Sequence, residues 1–308
     1  MCPPLAAFFN DFSLLSKKVK FDQITFSAQN VRNQILKESL VFPYQNTVYN
    51  LSITSREKHV TLHVNCQKID LRDVNAFFKR VEDFLKVEGI ENLTIESIEI
   101  NFDFESKTQM GQVCQDLTSF SSLFQSRSKN ALLTFHSYEP KTILEDLKIG
   151  GKKLTSSVSL NVQYRKNREA KGIALYDFKI YCKGIERALR KRQKKGETVI
   201  FPTNLIRVEV KLKRKYLSHK ERGKIRYQGI ILDENEPLHI NQIALCEKIS
   251  FRFSSMASKI REACNSDYRT RPFFKELVQQ LDSVVPMRKN VKNSFSSFLK
   301  AIDEDWLL

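Results

Sequence analysis

A tyrosine, a histidine, several carboxylates and a row of basic residues recur on the polar sides of alternating segments in this chain. In 174–181 the polar side holds Asp177, Lys179 and Tyr181; in 98–104 it holds Glu99, Asn101 and Asp103; in 59–66 it includes His63; in 205–213 it holds Arg207, Glu209, Lys211 and Lys213. These residue types suit the cutting of a phosphodiester, which needs a nucleophile, stabilisation of charge on the phosphate and a stabilised leaving oxygen. A tyrosine ionises near pH 10, so about one phenol in a thousand is ionised at neutral pH. Tyr181 therefore needs a neighbour that lowers its pKa or takes its proton, and Lys179 and Lys183 stand two residues to either side. A divalent ion on the scissile phosphate supplies the rest. Mg²⁺ or Mn²⁺ takes carboxylate oxygens and tolerates an imidazole, which points to Glu99 with Asp103 or Asn101, and to His63. Alternate strand residues lie about 7 Å apart, so 99, 101 and 103 do not all bind one ion. Glu99 and His63 are the preferred pair. Taken singly, each residue also suits an ordinary solvated strand face. Their coincidence on one face is what points to chemistry.

Several elements must position this set. Strands are expected at 59–66, 98–104, 157–164, 174–181 and 205–213, each alternating with period two. Residues 71–86 place Val74, Phe77, Phe78, Val81, Phe84 and Leu85 on one helical face, with Asp70 or Asp73 as N-cap. Further helices are expected at 108–125, 183–195, 239–263 and 272–304. The implied fold class is α+β: a central, mainly antiparallel sheet with helices on one face, a polar DNA- and metal-binding face on the other, and a helical C-terminal region. The expected division is a domain over 1–236 and a mostly helical region over 237–308.

The charge distribution bears on partners. The chain carries 51 Lys+Arg and 35 Asp+Glu, a net +16. Between Lys152 and Arg226 there are 23 basic and 6 acidic residues, leaving 28 basic and 29 acidic elsewhere. The whole excess lies in one stretch, which predicts a specific polyanion surface rather than a solubility device. Charge alone leaves DNA, RNA and an anionic membrane open as that partner; Lys179, Arg187, Arg190, Lys191, Arg207, Lys211 and Lys213 are the expected contacts where it is DNA. The six cysteines show neither CxxC pairing nor nearby histidines at zinc-ligand spacing, so they read as reduced thiols of a cytoplasmic protein. No apolar run approaches the length of a membrane span. Glycine is scarce, with 9 in all, so a Gly-rich phosphate loop is not expected.

Two blocks resemble a known family. YDFKIYCKGIERALR (Tyr176–Arg190), followed by NLIRVEVKLKRKYL (Asn204–Leu217), is similar to the pattern of phage and plasmid rolling-circle replication initiators. These are tyrosine nicking endonucleases of the HUH type, related to the filamentous-phage initiator. Tyr181, Lys183, Glu186, Arg207, Glu209 and the pair Tyr216-Leu217 match that pattern. HVTLHVNC and LTIESIEINFDF resemble two further strands of the family, with His63 and Glu99 at the matching places. The likeness covers residues 50–233. It implies a rolling-circle initiator with Tyr181 as nucleophile, Lys183 as its phosphate or phenolate partner, and Glu99 and His63 as ligands of Mg²⁺ or Mn²⁺. The implied partners are a single-stranded or hairpin DNA origin and the host helicase and polymerase. The chain departs from the wider superfamily in lacking a His-hydrophobe-His pair, since 61–65 reads Thr-Leu-His-Val-Asn. It also has Cys182 where many relatives carry Asp. A non-catalytic DNA-binding regulator, a single-strand transposase or recombinase, and an RNA-binding protein remain alternatives.

Overall fold

The computed structural model describes residues 18–32, 38–56, 58–69, 73–109, 112–113, 116–117, 131–137, 148–149, 152–153, 158–165, 174–186, 204–217, 238–264 and 271–284. The strands are β1 (Lys20–Asn30), β2 (Ser39–Tyr44), β3 (Thr47–Arg56), β4 (His59–Asn65), β5 (Ile90–Glu105), β6 (Ala131–Ser137), β7 (Lys148–Ile149), β8 (Lys152–Lys153), β9 (Val158–Arg165), β10 (Ala174–Cys182) and β11 (Leu205–Lys213). The helices are α1 (Val74–Val87), α2 (Arg214–Leu217), α3 (Gln242–Cys264) and α4 (Pro272–Ser283).

Nine strands form one sheet in the order β2-β3-β4-β1-β5-β11-β10-β9-β6. Every adjacent pair is antiparallel. The chain is therefore α+β, built on an antiparallel sheet. All five expected strands are present. The 98–104 segment is the C-terminal half of a longer strand, β5, which spans 16 residues at the centre of the sheet.

One face of the sheet is apolar. Ile24, Phe26, Leu62, Val64, Ile98, Phe102, Phe178, Ile180, Val208 and Val210 are all buried there. Helix α1 covers one part of it. Its Val74, Phe77, Phe78, Val81 and Leu85 recur at helical spacing and are buried. Phe78 meets Phe26 edge-on at 5.4 Å. Phe77 meets Phe42 of β2 at 5.8 Å. Helix α3 covers another part, with fully buried Phe253 edge-on to Phe102 at 5.3 Å and to Phe178 at 6.4 Å. Each such phenyl contributes ~1.5–3 kcal/mol by leaving water. Asp73 occupies the N-cap position of α1 but its side chain makes no capping bond. Its backbone, at φ −99° and ψ 0°, is not in the extended conformation from which a cap side chain reaches back. Gly89 follows α1 with φ +72°, a left-handed conformation that glycine adopts without steric penalty.

The C-terminal helices are tied to the sheet region by polar as well as apolar contacts. Asn75 of α1 exchanges two hydrogen bonds with the backbone of Ile240. Arg252 of α3 lies over the rings of Tyr176 and Tyr216, at 4.3 and 4.6 Å, and donates to both hydroxyls. Glu276 of α4 accepts bonds from Ser106 Oγ, Lys107 N and Thr108 Oγ1, just beyond the end of β5. The expected boundary near 236 falls among residues outside those described. So do most of 108–125, the part of 183–195 beyond Glu186, and the part of 272–304 beyond 284.

Candidate catalytic and metal-binding face

The other face of the sheet carries the chemistry-bearing residues, and the ladders bring them into neighbouring rows. Between β5 and β11, Lys211 lies opposite Glu99, Glu209 opposite Asn101, and Arg207 opposite Asp103. Between β11 and β10, Lys179 lies opposite Glu209 and Tyr181 opposite Arg207. Residues paired in this way share a face. Strand β1 adds a carboxylate through an irregularity. Its register against β5 shifts between Phe21 and Ile24, and Asp22 stands in that interval.

Three carboxylates converge here. Oxygen atoms of Asp22, Glu99 and Glu209 all lie within 4.8 Å of one another. Oxygens bound to one Mg²⁺ at about 2.0–2.1 Å stand up to ~4.2 Å apart, so little movement would close them on an ion. A hard oxygen donor set of this kind fits Mg²⁺ or Mn²⁺. Asn101, on the same strand face beside Glu99 and opposite Glu209, is 3% exposed and its amide nitrogen has no hydrogen-bond partner. A side-chain amide in that position leaves polar capacity unspent at the triad.

Of the two expected ligands, Glu99 belongs to this triad. His63 does not share its 4.8 Å cluster. It lies on β4, beyond β1 from Glu99, and its Nδ1 is 3.1 Å from Thr25 Oγ1. Its pKa is lowered by burial and by the Lys211 ammonium, with Glu99 acting in the opposite sense. The imidazole is thus held toward its neutral form, within electrostatic reach of Glu99. Sequence reading missed Asp22 and Glu209 as members of the triad. A signal for Asp22 was present: apolar spacing in β1 stretches from two to three between Phe21 and Ile24, as at a bulge. Glu209 stood on the polar side of its strand, but which carboxylate it faced depended on register.

Tyr181 is half-buried on this face, with its hydroxyl 3.4 Å from Glu209 Oε2. That is a long hydrogen bond. Burial raises the phenol's pKa above its usual value, and the Glu209 and Glu186 carboxylates raise it further. Tyr181 is therefore a neutral phenol unless positive charge arrives. Lys183 lies past the end of β10, in a helical turn, rather than on a continuing strand. Its ammonium still stands 5.5 Å from the centre of the Tyr181 ring, while bonding Glu186 at 2.6 Å. Burial raises the Glu209 pKa despite the opposing Lys179. Burial pulls Lys179 the other way, yet Glu209 leaves its pKa raised.

The basic residues expected to meet DNA are engaged. Lys179 binds Glu209 at 2.9 Å, Lys213 binds Asp177 at 2.9 Å, and Lys211 pairs with Glu99. Arg207, 4% exposed, grips both oxygens of Asp103 at 2.6 and 2.9 Å and reaches Asp22 at 3.2 Å. Arg187, Arg190 and Lys191 lie outside the described residues. Cys66, Cys182, Cys246 and Cys264 are buried and in no disulfide among the described residues. Among the described residues no helix is long and apolar enough to cross a membrane.

The fold and this face together define an α+β protein with a polar, acid- and base-rich sheet surface opposite its helices. A scan of protein-family models and a search of curated proteins each find no match. Among solved structures, the chain is similar to one described as a rolling circle replication initiator protein from Geobacillus stearothermophilus. The identity is 11% and the TM-score 0.35, over 88% of this chain and 98% of that one. At that identity and superposition the likeness decides nothing about activity.

Proposed function

We propose that this chain is a rolling-circle replication initiator that nicks one DNA strand at an origin by tyrosine transesterification. The observation that carries the reading is the placement of Tyr181. Its hydroxyl is on the polar face, 3.4 Å from a carboxylate that shares a cluster with Glu99 and Asp22.

Tyr181 attacks the phosphorus of a bound phosphodiester. A bond forms from the phenolic oxygen to phosphorus and the bond to the 3′ oxygen breaks. The products are a 5′-phosphotyrosine link and a free 3′-OH, which takes a proton from solvent. Glu209 Oε2 is the nearest acceptor for the phenolic hydrogen, and its hydrogen bond holds the hydroxyl on this face. Lys183 lies beside the ring, where its charge favours the phenolate and the incoming phosphate. Asp22, Glu99 and Glu209 would hold a divalent cation, with His63 as the neighbouring nitrogen donor. Such an ion, when bound, supplies charge stabilisation at the phosphate and its leaving oxygen. The phosphotyrosine conserves the bond energy, so the same face can reseal the strand without ATP. The free 3′-OH is a primer for a host polymerase, with a host helicase opening the duplex. The basic stretch 152–226, including Arg187, Arg190 and Lys191, docks the DNA, in a cytoplasmic setting.

The test is a denaturing gel of the full chain mixed with end-labelled single-stranded origin DNA and Mn²⁺. A covalent adduct is expected, lost in Tyr181→Phe and with chelator. Binding without any adduct, unchanged by either treatment, would instead fit a DNA-binding regulator.

A further inference from the structure

Each member of the acidic triad is already held by one cation. Asp22 pairs with Arg207, Glu99 with Lys211, and Glu209 with Lys179. Across this face four cations, Lys179, Arg207, Lys211 and Lys213, pair in four neighbouring sets with five carboxylates, Asp22, Glu99, Asp103, Asp177 and Glu209, as a lattice of charges. The lattice therefore carries one net negative charge, in the middle of a face that a polyanion has to approach. The charge of each lysine is offset by a carboxylate at hydrogen-bond distance, and a phosphate would have to compete with that carboxylate.

We infer that Lys179 and Lys211 are phosphate-binding residues masked by Glu209 and Glu99, and that a divalent cation held by Asp22, Glu99 and Glu209 releases them to the nucleic-acid backbone. The inference rests on the metal reading above. A carboxylate oxygen that turns to a divalent ion gives up most of its attraction for an ammonium, because the ion carries the larger charge at a shorter distance. Two lysines are then free to bind phosphates. Arg207 regains only the N–H that Asp22 held, since Asp103 keeps its other two bonds. The lattice charge changes from one negative to one positive. Metal and single-stranded DNA consequently bind with positive coupling, and the coupling is reciprocal. The Asn101 amide nitrogen, opposite Glu209 and without a hydrogen-bond partner, is a donor that a phosphate oxygen on this face would satisfy and the cation would not.

The test uses the full chain carrying Tyr181→Phe, so that no strand is cut. Mn²⁺ binding is first measured alone by calorimetry. Affinity for a mixed-sequence single-stranded oligonucleotide is then measured across a salt series, with and without saturating Mn²⁺ at matched ionic strength. Each phosphate neutralised on a single strand contributes about 0.7 to the slope of log affinity against log salt, so two released lysines should steepen it by about 1.4. Tighter binding with that steepening is the expected result. Adding Lys179→Ala and Lys211→Ala should remove the steepening. Glu99→Gln with Glu209→Gln should give Mn²⁺-independent tight binding, in protein whose circular dichroism matches the parent. If Mn²⁺ binds but the slope does not change, the unmasking is wrong and the metal site stands. If Mn²⁺ tightens DNA binding equally in the double lysine variant, the ion bridges phosphate directly and the unmasking is again wrong. If Mn²⁺ does not bind, the metal reading and this inference fall together.

Discussion

Arg207 offers a sharp test of what the ion-pair lattice contributes to stability. Arg207 is 4% exposed, and its guanidinium makes three charged hydrogen bonds to two carboxylates. Arg207→Leu removes all three and strands Asp103 and Asp22. Breaking a fully buried pair costs ~3–5 kcal/mol, because a desolvated charge is left unpaired. Here the acid side chains keep 27% and 16% of their exposure, so water repays part of that loss. Asp22 also keeps its bond from Gln67 at 2.6 Å. A loss of roughly 2–3 kcal/mol is expected, lowering the midpoint of thermal unfolding by roughly 3–5 °C for a chain of this size. Circular dichroism melts of both proteins measure it. Arg207→Lys should fall between them, since one ammonium cannot reproduce the two-pronged grip on Asp103. Arg207→Leu combined with Asp103→Leu should recover at least half the loss, because the stranded acid is gone. A melt within 2 °C of the parent for Arg207→Leu alone would refute the reasoning and return Arg207 to the role of a simple DNA contact.

Three further outcomes follow from the same geometry. Tyr181 should titrate above the ~10 of free tyrosine, read as the difference in phenolate absorbance between the parent and Tyr181→Phe. A phenolate signal from this residue below pH 10 without metal contradicts the burial argument. His63 has a folded pKa below its unfolded value of about 6.5, so the unfolded chain binds more protons across that interval. Stability should therefore fall as pH drops through 6.5, and less so in His63→Asn, as shown by urea midpoints at pH 7.5 and 5.5. Phe253→Ala should cost ~3–5 kcal/mol, since a fully buried ring that touches both Phe102 and Phe178 leaves a cavity under the centre of the sheet. Chemical denaturation checks that value, and a loss below 1 kcal/mol would mean that α3 contributes little to covering the sheet.

Local pattern carried much of the architecture. Period-two alternation identified β4, β9, β10, β11 and half of β5, because a strand with one face in the core must alternate. The helical stripe of Val74, Phe77, Phe78 and Val81 identified α1 for the same reason. β1 was harder to read. Its bulge puts two polar residues, Asp22 and Gln23, in succession, and the interrupted alternation hides the strand while delivering a carboxylate to the site. Lys183 stands two residues after Tyr181, which would put it on the same strand face were β10 to continue. The chain turns into a helical turn there, yet the lysine still reaches the ring.

The faces of His63, Glu99, Tyr181, Arg207 and Glu209 are legible in the sequence alone, because side-chain direction within a regular strand depends only on parity, whereas the bulge in β1 hides that of Asp22. Which residues meet is not legible there, because that depends on strand order and register across positions far apart in the chain. Only the folded sheet set β11 between β5 and β10 and brought β1 to the other side of β5. That arrangement made Glu209 the neighbour of Tyr181, drew Asp22 to Glu99, and left His63 beyond the edge of the carboxylate cluster. It also decided that cations which read as a DNA-binding row are spent on acids, since charge pairing is a property of distance in space and leaves no periodic trace in sequence.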